Sequence, residues 1–143
     1  MVREFDVIVL GAGPVGENVA DRARAAGLEV AIVEHELVGG ECSYWACVPS
    51  KALLRSGSAR RAAQRVPGAA QAVTGTIDAA ATFARRNWFV SDWSDHGGQE
   101  WLESAGIELV RGHGRLDGSR RVVVAPSGDG ADELGRASCR ERV

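Results

Sequence analysis

Two groups of residues in this 143-residue chain have types and spacing that suit chemistry. The first is Gly11-Ala12-Gly13-Pro14-Val15-Gly16. At that spacing the first glycine permits a tight turn, the second lets backbone approach a diphosphate, and the third allows a helix to lie close on a strand. The N–H groups and positive dipole end of the helix then hold the anion. Glu34 follows Gly13 by 21 residues and closes an apolar run. A carboxylate there accepts hydrogen bonds from ribose hydroxyls and repels a 2′-phosphate. This pattern points to dinucleotide binding and does not by itself separate NAD from FAD.

The second group is Gly39-Gly40-Glu41-Cys42-Ser43-Tyr44-Trp45-Ala46-Cys47-Val48-Pro49-Ser50-Lys51. On a regular helix, residues five apart point about 140° apart, given ~3.6 residues per turn. A disulfide wants Cα atoms within about 7 Å, so the backbone between Cys42 and Cys47 must be distorted for the two to meet. Pro49 supplies a cause, because a proline inside a helix clashes with the carbonyl four residues earlier, here that of Trp45. A regular helix from Pro49, with both cysteines in the irregular turn before it, is the resulting expectation. Helix N-termini favour the reactive thiolate. Lys51 in the first turn opposes the dipole and requires a local partner or a function. Three readings fit the pair: a redox-active disulfide, two inert thiols, or half a metal site. A zinc site wants four ligands at regular spacing, whereas His35, His96 and His113 are scattered.

The elements that must position these residues follow from apolar patterning. Phe5 to Leu10 is a short β-branched run, the composition of a buried parallel strand. A helix to about Ala26 places Val15, Val19, Ala20 and Ala23 on one face, and Gly27 caps it. Leu28 to Val33 is a second strand, completing a βαβ unit with an expected right-handed crossover. His35 to Glu41 is expected as loop, Pro49 to about Val66 as helix, and 76–93 as a further helix. Gln99 to Ala105 is a short helix stopped by Gly106. Ile107 to Arg111 and Arg121 to Ala125 are strands flanking a glycine-containing turn. Trp88, Trp93 and Trp101 stand at helical spacing and are expected in the core, while the pairs Arg60-Arg61 and Arg85-Arg86 are expected on solvated helix faces.

Composition narrows the classes. With 17 basic and 19 acidic residues the formal charge is −2, which offers no case for nucleic acid or an anionic membrane. No run of ~18 apolar residues marks a transmembrane helix. Glu4 and Asp6 interrupt the first apolar stretch, so no signal peptide is expected and the default address is cytoplasmic. Three cysteines are too few for a stapled secreted scaffold. Lys51 is the single lysine among the basic residues, the skew of a GC-rich genome. Residues 126–143 form a tail without amphipathic period. Its end, 135–143, resembles the in-frame translation of a common sequencing adapter. A processing scar is therefore the expectation, with a natural disordered tail as the alternative; a scar would leave Cys139 without function and the chain truncated.

The glycine turn after a strand, the glutamate ending the second strand and the GG-x-C-x4-C-x-PSK run together resemble the FAD-dependent pyridine nucleotide-disulfide oxidoreductases. The likeness spans about residues 3–125. It implies an α/β fold, a Rossmann-like FAD-binding domain over 1–125 with a parallel sheet, here partial. Gly11, Ala12, Gly13, Pro14 and Gly16 would then hold the FAD diphosphate and Glu34 the adenosine ribose. His35, Gly40, Glu41, Lys51, His113 and Gly114 complete the cofactor set. The resemblance further implies that Cys42 is the interchange thiol that attacks substrate. Cys47 would be the thiolate beside the flavin in the charge-transfer complex, and Lys51 would lie near flavin N5. No metal is implied. Ala46 stands where the family usually has Gly, Tyr44 and Trp45 replace a common Leu/Asn pair, and Glu41 replaces Thr, so no particular substrate is carried over. The family's NAD(P)-binding domain and its interface domain have no counterpart: neither a second Gly-x-Gly-x-x-Gly nor a later His–Glu pair occurs. The whole protein is expected to be a homodimer that passes electrons from NAD(P)H through FAD and the disulfide to a small-molecule disulfide or related substrate. The alternative is a module that holds FAD or NAD without turnover.

Overall fold

The computed structural model of the chain describes residues 2–125 and the backbone of 135–139. Contacts divide it into a sheet unit, Met1–Gly40 with Asp95–Val143, and a helical unit, Glu41–Ser94. The expected tail, at 126–134 and 140–143, and the side chain of Cys139 lie outside the described residues.

The sheet unit opens with β1 (Val2–Phe5), β2 (Val7–Leu10), α1 (Pro14–Ala25) and β3 (Val30–Glu34). After the helical unit it resumes with α5 (His96–Ala105), β4 (Glu108–Arg111), β5 (His113–Leu116), β6 (Arg121–Ala125) and β7 (Gly135–Cys139). One sheet has the order β2-β3-β4 and is parallel throughout, with Val7 opposite Val30 and Ala31 opposite Glu108. This is the expected Rossmann-like core. β3 lies at its centre and is buried along its whole length, consistent with its continuous apolar sequence. The second sheet runs β1-β7-β6-β5.

The strand expected over Phe5–Leu10 is broken at Asp6. The Asp6 and Val7 N–H groups both donate to the Glu29 carbonyl, at 2.9 and 3.1 Å, and an Asp6 carboxylate oxygen accepts the Glu29 N–H at 2.8 Å. These bonds interrupt the ladder, so β1 pairs with β7 and β2 with β3. No element was expected over 135–139, yet that backbone forms β7. His113–Leu116, expected within a turn, is β5, and it pairs antiparallel with β6.

α1 matches expectation at both ends, and Gly27 (φ +83°) donates to the Arg24 carbonyl at 2.9 Å. Its buried face differs. Val15 and Val19 are exposed while Ala20 is fully buried, because the helix approaches the sheet so closely that only small residues fit beneath it. Trp101, in α5, packs against the core formed by Val9, Ile32, Val38 and Leu102.

The helical unit holds most of α2 (Gly40–Tyr44), then α3 (Cys47–Gln64) and α4 (Ala79–Phe89). α2 replaces the end of the expected loop. α3 starts at Cys47, two residues before Pro49, because a proline in the first turn sacrifices only an N–H that has no partner there. The expected 76–93 helix is shorter: the Asp78 carboxylate accepts the Ala81 N–H at 3.0 Å and starts it at Ala79. Ser91, Asp92 and Trp93, with φ of 50°, 48° and 60°, then turn away from helical geometry. Trp88 is exposed at 72% and Trp93 at 37%, not core. The paired arginines are not simply solvated either: Arg85 lies 4.4 Å over Phe89 and Arg86 5.0 Å over Trp93. Guanidinium planes and alkyl stems there cover apolar surface that the unit does not bury. Arg60 donates to the Gly75 carbonyl at 3.1 Å, and Arg61 is exposed. No helix among the described residues is long and apolar enough to cross a membrane.

Candidate functional site: a glycine cradle and a thiol pair

In the sheet unit, the glycine turn lies between β2 and α1. Gly11 takes φ +93°, and its N–H donates to the Val33 carbonyl at 2.8 Å, tying the turn to β3. A Cβ on Gly16 would stand 2.0 Å from the Gly11 carbonyl oxygen, so only glycine permits this crossing. Gly13 is the N-cap of α1 and Pro14 its first residue, and no side chain caps the helix. The first-turn N–H groups of α1 are therefore disposed to meet an anion.

Gly39 and Gly40 return to this turn. Gly39 donates to the Ala12 carbonyl at 2.7 Å. Gly40, at φ +57°, would place a Cβ 2.9 Å from the Gly13 Cα. The structure thus gathers Gly11, Ala12, Gly13, Pro14, Gly16 and Gly40 in one place.

Glu34 is buried at the end of β3, 6% exposed. One carboxylate oxygen accepts the Ala12 N–H at 2.8 Å and the other the Glu36 N–H at 2.8 Å. A carboxylate offers about four lone-pair sites, so this anchoring leaves acceptor capacity. His35 Nδ1 lies 3.3 Å from Glu34, and the His35 and His113 rings stack at 4.1 Å between centroids. Gly114 passes so close to β2 and β3 that a Cβ would stand 2.7 Å from Leu10 and 3.0 Å from Val33. His35, His113 and Gly114 thus join Glu34 at the end of β3.

Sequence reasoning missed Asp95. It is the N-cap residue of α5 but makes no side-chain cap bond to that helix. Its buried carboxylate instead accepts the Val38 N–H at 2.9 Å and the Gln99 side-chain N–H at 2.6 Å. It also pairs with the Arg111 guanidinium, which donates in addition to the Glu36 carbonyl. Burial alone would push the Asp95 carboxyl up. The bonds from Arg111, Val38 and Gln99, with the Arg111 charge, outweigh burial and hold it below the usual carboxylate range. The only sequence signal was an aspartate ahead of a helix, which ordinarily denotes a cap.

In the helical unit, Cys42 lies within α2 and Cys47 opens α3. The Trp45 and Ala46 N–H groups both bond the Glu41 carbonyl, at 3.0 and 2.7 Å, and Ala46 adopts φ −119°, ψ −88°. This break between two helices is the distortion that the spacing required. Both cysteines are free thiols, Cys42 half-buried and Cys47 exposed, so the expected disulfide bond is not formed. Hydrogen bonding with the Cys47 thiol, aided by burial, pushes the Cys42 thiol above its ordinary range, while the Lys51 charge pulls it down. Lys51 also borders a cavity of about 360 Å³ with Val48, Ala52, Arg55, Arg85 and Phe89. Glu41 is exposed. Among the described residues no group of three or more His, Cys, Asp or Glu side chains could hold a metal.

Residues 5–130 match the family described as pyridine nucleotide-disulphide oxidoreductase. The chain is 36% identical over 129 residues to a dihydrolipoyl dehydrogenase of Chlorobaculum parvum, covering 90% of this chain and 27% of that one. It is 31% identical over 122 residues to a mercuric reductase of Staphylococcus aureus, covering 85% and 22%. The HOCl-induced flavoprotein disulfide reductase RclA of Escherichia coli, solved as a Cu(II) complex, superposes with a TM-score of 0.71 at 18% identity, over 95% of this chain and 27% of that one. The chain therefore spans about a quarter of the length of these relatives.

Proposed function

Because the chain belongs to the pyridine nucleotide-disulphide oxidoreductase family, we propose that it is the FAD-binding, thiol-bearing part of a flavin-dependent disulfide reductase. The observation that carries this reading is the pair of free thiols, Cys42 and Cys47, set on either side of the break between α2 and α3, in a chain that also builds a diphosphate cradle.

The residues present fit the cofactor. An uncapped α1 start and two glycines where a Cβ would collide with backbone leave room and donors for a diphosphate. Gly11, Ala12, Gly13, Pro14, Gly16 and Gly40 would hold it, with Glu34, His35, His113 and Gly114 toward the adenosine. The cavity beside Lys51, lined by three cations and the apolar Val48, Ala52 and Phe89, suits a flat ring that gains negative charge on reduction. Glu41 belongs to the same proposal as a diphosphate neighbour. Bound FAD would supply two-electron exchange with NAD(P)H and with the cysteine pair.

The chain's own residues perform the rest. Opening a Cys42–Cys47 disulfide consumes two electrons and two protons, and closing it returns them. Cys42, as thiolate, attacks a substrate disulfide and displaces one substrate thiolate, which takes up a proton. Cys47 then attacks the mixed disulfide, releasing the second substrate thiol and restoring the pair. Lys51 favours the thiolate form of Cys42 throughout. The same reading takes the whole protein as a cytoplasmic homodimer acting on a small-molecule disulfide or related substrate.

The test is spectroscopic. The purified chain is expected to bind FAD and, after two-electron reduction by dithionite, to show a long-wavelength band that Cys47→Ser abolishes. Bound flavin without that band would sink the Cys47 assignment and leave a binding module. NAD binding without any flavin would replace the reading with a simple NAD-dependent reductase.

A further inference from the structure

We propose that Asp95, locked to Arg111, is a positioning residue for the diphosphate turn: it holds the 36–40 segment against the glycine turn that α1 grows from. The inference rests on the dinucleotide reading of that turn.

Asparagine and aspartate are favoured at the N-cap because their side chains satisfy the first N–H groups of their own helix. Asp95 stands at that position and does not do so. Its carboxylate faces Val38 instead, 57 residues away in sequence. A buried carboxylate is costly unless hydrogen-bonded and paired, and here Val38 N–H, Gln99 and Arg111 meet both conditions. Arg111 bonds the same segment a second time, at the Glu36 carbonyl. Val38 is 1% exposed, and Gly98 in the first turn of α5 sits so close that a Cβ would lie 2.9 Å from it. α5 is thus pressed onto the segment, with no room for a longer side chain between them.

The next two residues transmit this fixation. Gly39 donates to the Ala12 carbonyl at 2.7 Å, and Gly40 lies so near Gly13 that a Cβ on it would stand 2.9 Å from the Gly13 Cα. On the far side Glu34 holds the Ala12 N–H. The turn is therefore gripped at Ala12 from both directions, by Glu34 through the N–H and, through Gly39, by the segment Asp95 secures. Loosening Asp95 frees the diphosphate end of the site and leaves the Glu34 end in place.

That asymmetry defines the experiment. ADP and adenosine are titrated by NMR into the 143-residue chain and its Asp95→Ala variant. Losing a charge-assisted bond that positions the turn should weaken ADP about tenfold, with adenosine changed less than about twofold. Asp95→Asn, which keeps an oxygen for the Val38 N–H but no charge for Arg111, should fall between, and it carries the test if Asp95→Ala does not fold. Equal weakening of both ligands, or unchanged ADP affinity, would overturn the inference. Failure of the unaltered chain to bind ADP would instead remove the dinucleotide reading and this inference with it.

Discussion

Among the described residues, the buried apolar side chains belong to the sheet unit in all but four cases, Tyr44, Pro49, Ala52 and Val90. The large exposed ones are distributed the other way. Trp45, Leu54, Val66, Ile77, Phe83, Trp88, Phe89 and Trp93 lie in the helical unit, against four in the sheet unit. The sheet unit also braces its turn with buried charge, through Glu34 and Asp95. The helical unit relies on arginines laid over aromatic rings. A cradle that discriminates a diphosphate must be fixed to within a fraction of an ångström, which a dense core provides. A thiol pair that exchanges with substrate needs access, and a lightly buried unit gives it at the cost of local stability.

The sharpest way to break this contrast is to add the same methyl group to each unit. Gly16→Ala would put a Cβ 2.0 Å from backbone, and neither partner can retreat. It should cost on the order of 3 kcal/mol in urea unfolding. Gly57, inside α3, would meet only side-chain atoms at 3.5 and 3.9 Å. Gly57→Ala should be neutral or stabilise by up to about 1 kcal/mol, since helix propensity favours alanine. Similar losses at both sites would mean that the helical unit is packed as tightly as the sheet unit.

A smaller effect separates the units by pH. Asp95 titrates below its unfolded value of about 3.9, so its contribution is complete above that pH and drains away as pH falls through the folded value. Loss of bonds to a buried charge amounts to about 1.5–3 kcal/mol. Unfolding midpoints from pH 6 to pH 2.5 should therefore decline steeply in the acid limb, and Asp95→Asn should flatten that limb while lowering stability at pH 6. An unchanged limb would show that the pair with Arg111 is not what depresses this carboxyl.

The same contrast explains what was legible in the sequence. The βαβ unit announces itself because its determinants are local: β-branched runs for β2 and β3, glycines where backbone crosses backbone, and Gly27 at the end of α1. The break at Asp6 and the Asp95–Arg111 pair depend on partners 23 and 16 residues away, and no periodicity encodes them. In the helical unit, Trp88 and Trp93 follow a helical period but face outward, because the period identifies a common face and not what covers it. Cys42 and Cys47 were legible as a pair needing a distorted backbone. The short α2 was not, since five residues are too few to show a period.

The smallest effect tests whether the thiol pair is tuned or merely accessible. Without tuning, the half-buried Cys42 would titrate like a free thiol. Hydrogen bonding with Cys47 instead pushes it above the ordinary range, with Lys51 opposing. Because the thiolate is the nucleophile, alkylation of Cys42 by iodoacetamide, read by peptide-resolved mass spectrometry, should be slow at neutral pH and rise with a midpoint above that of a free cysteine. Cys47→Ala removes the main upward influence and should shift the midpoint down, speeding neutral alkylation a few-fold. Lys51→Met removes the downward one and should slow it, since each pKa unit changes the thiolate fraction about tenfold. If all three proteins alkylate with the same pH profile, Cys47 and Lys51 exert no electrostatic hold on Cys42. The helical unit would then offer access without the control that a disulfide reductase needs.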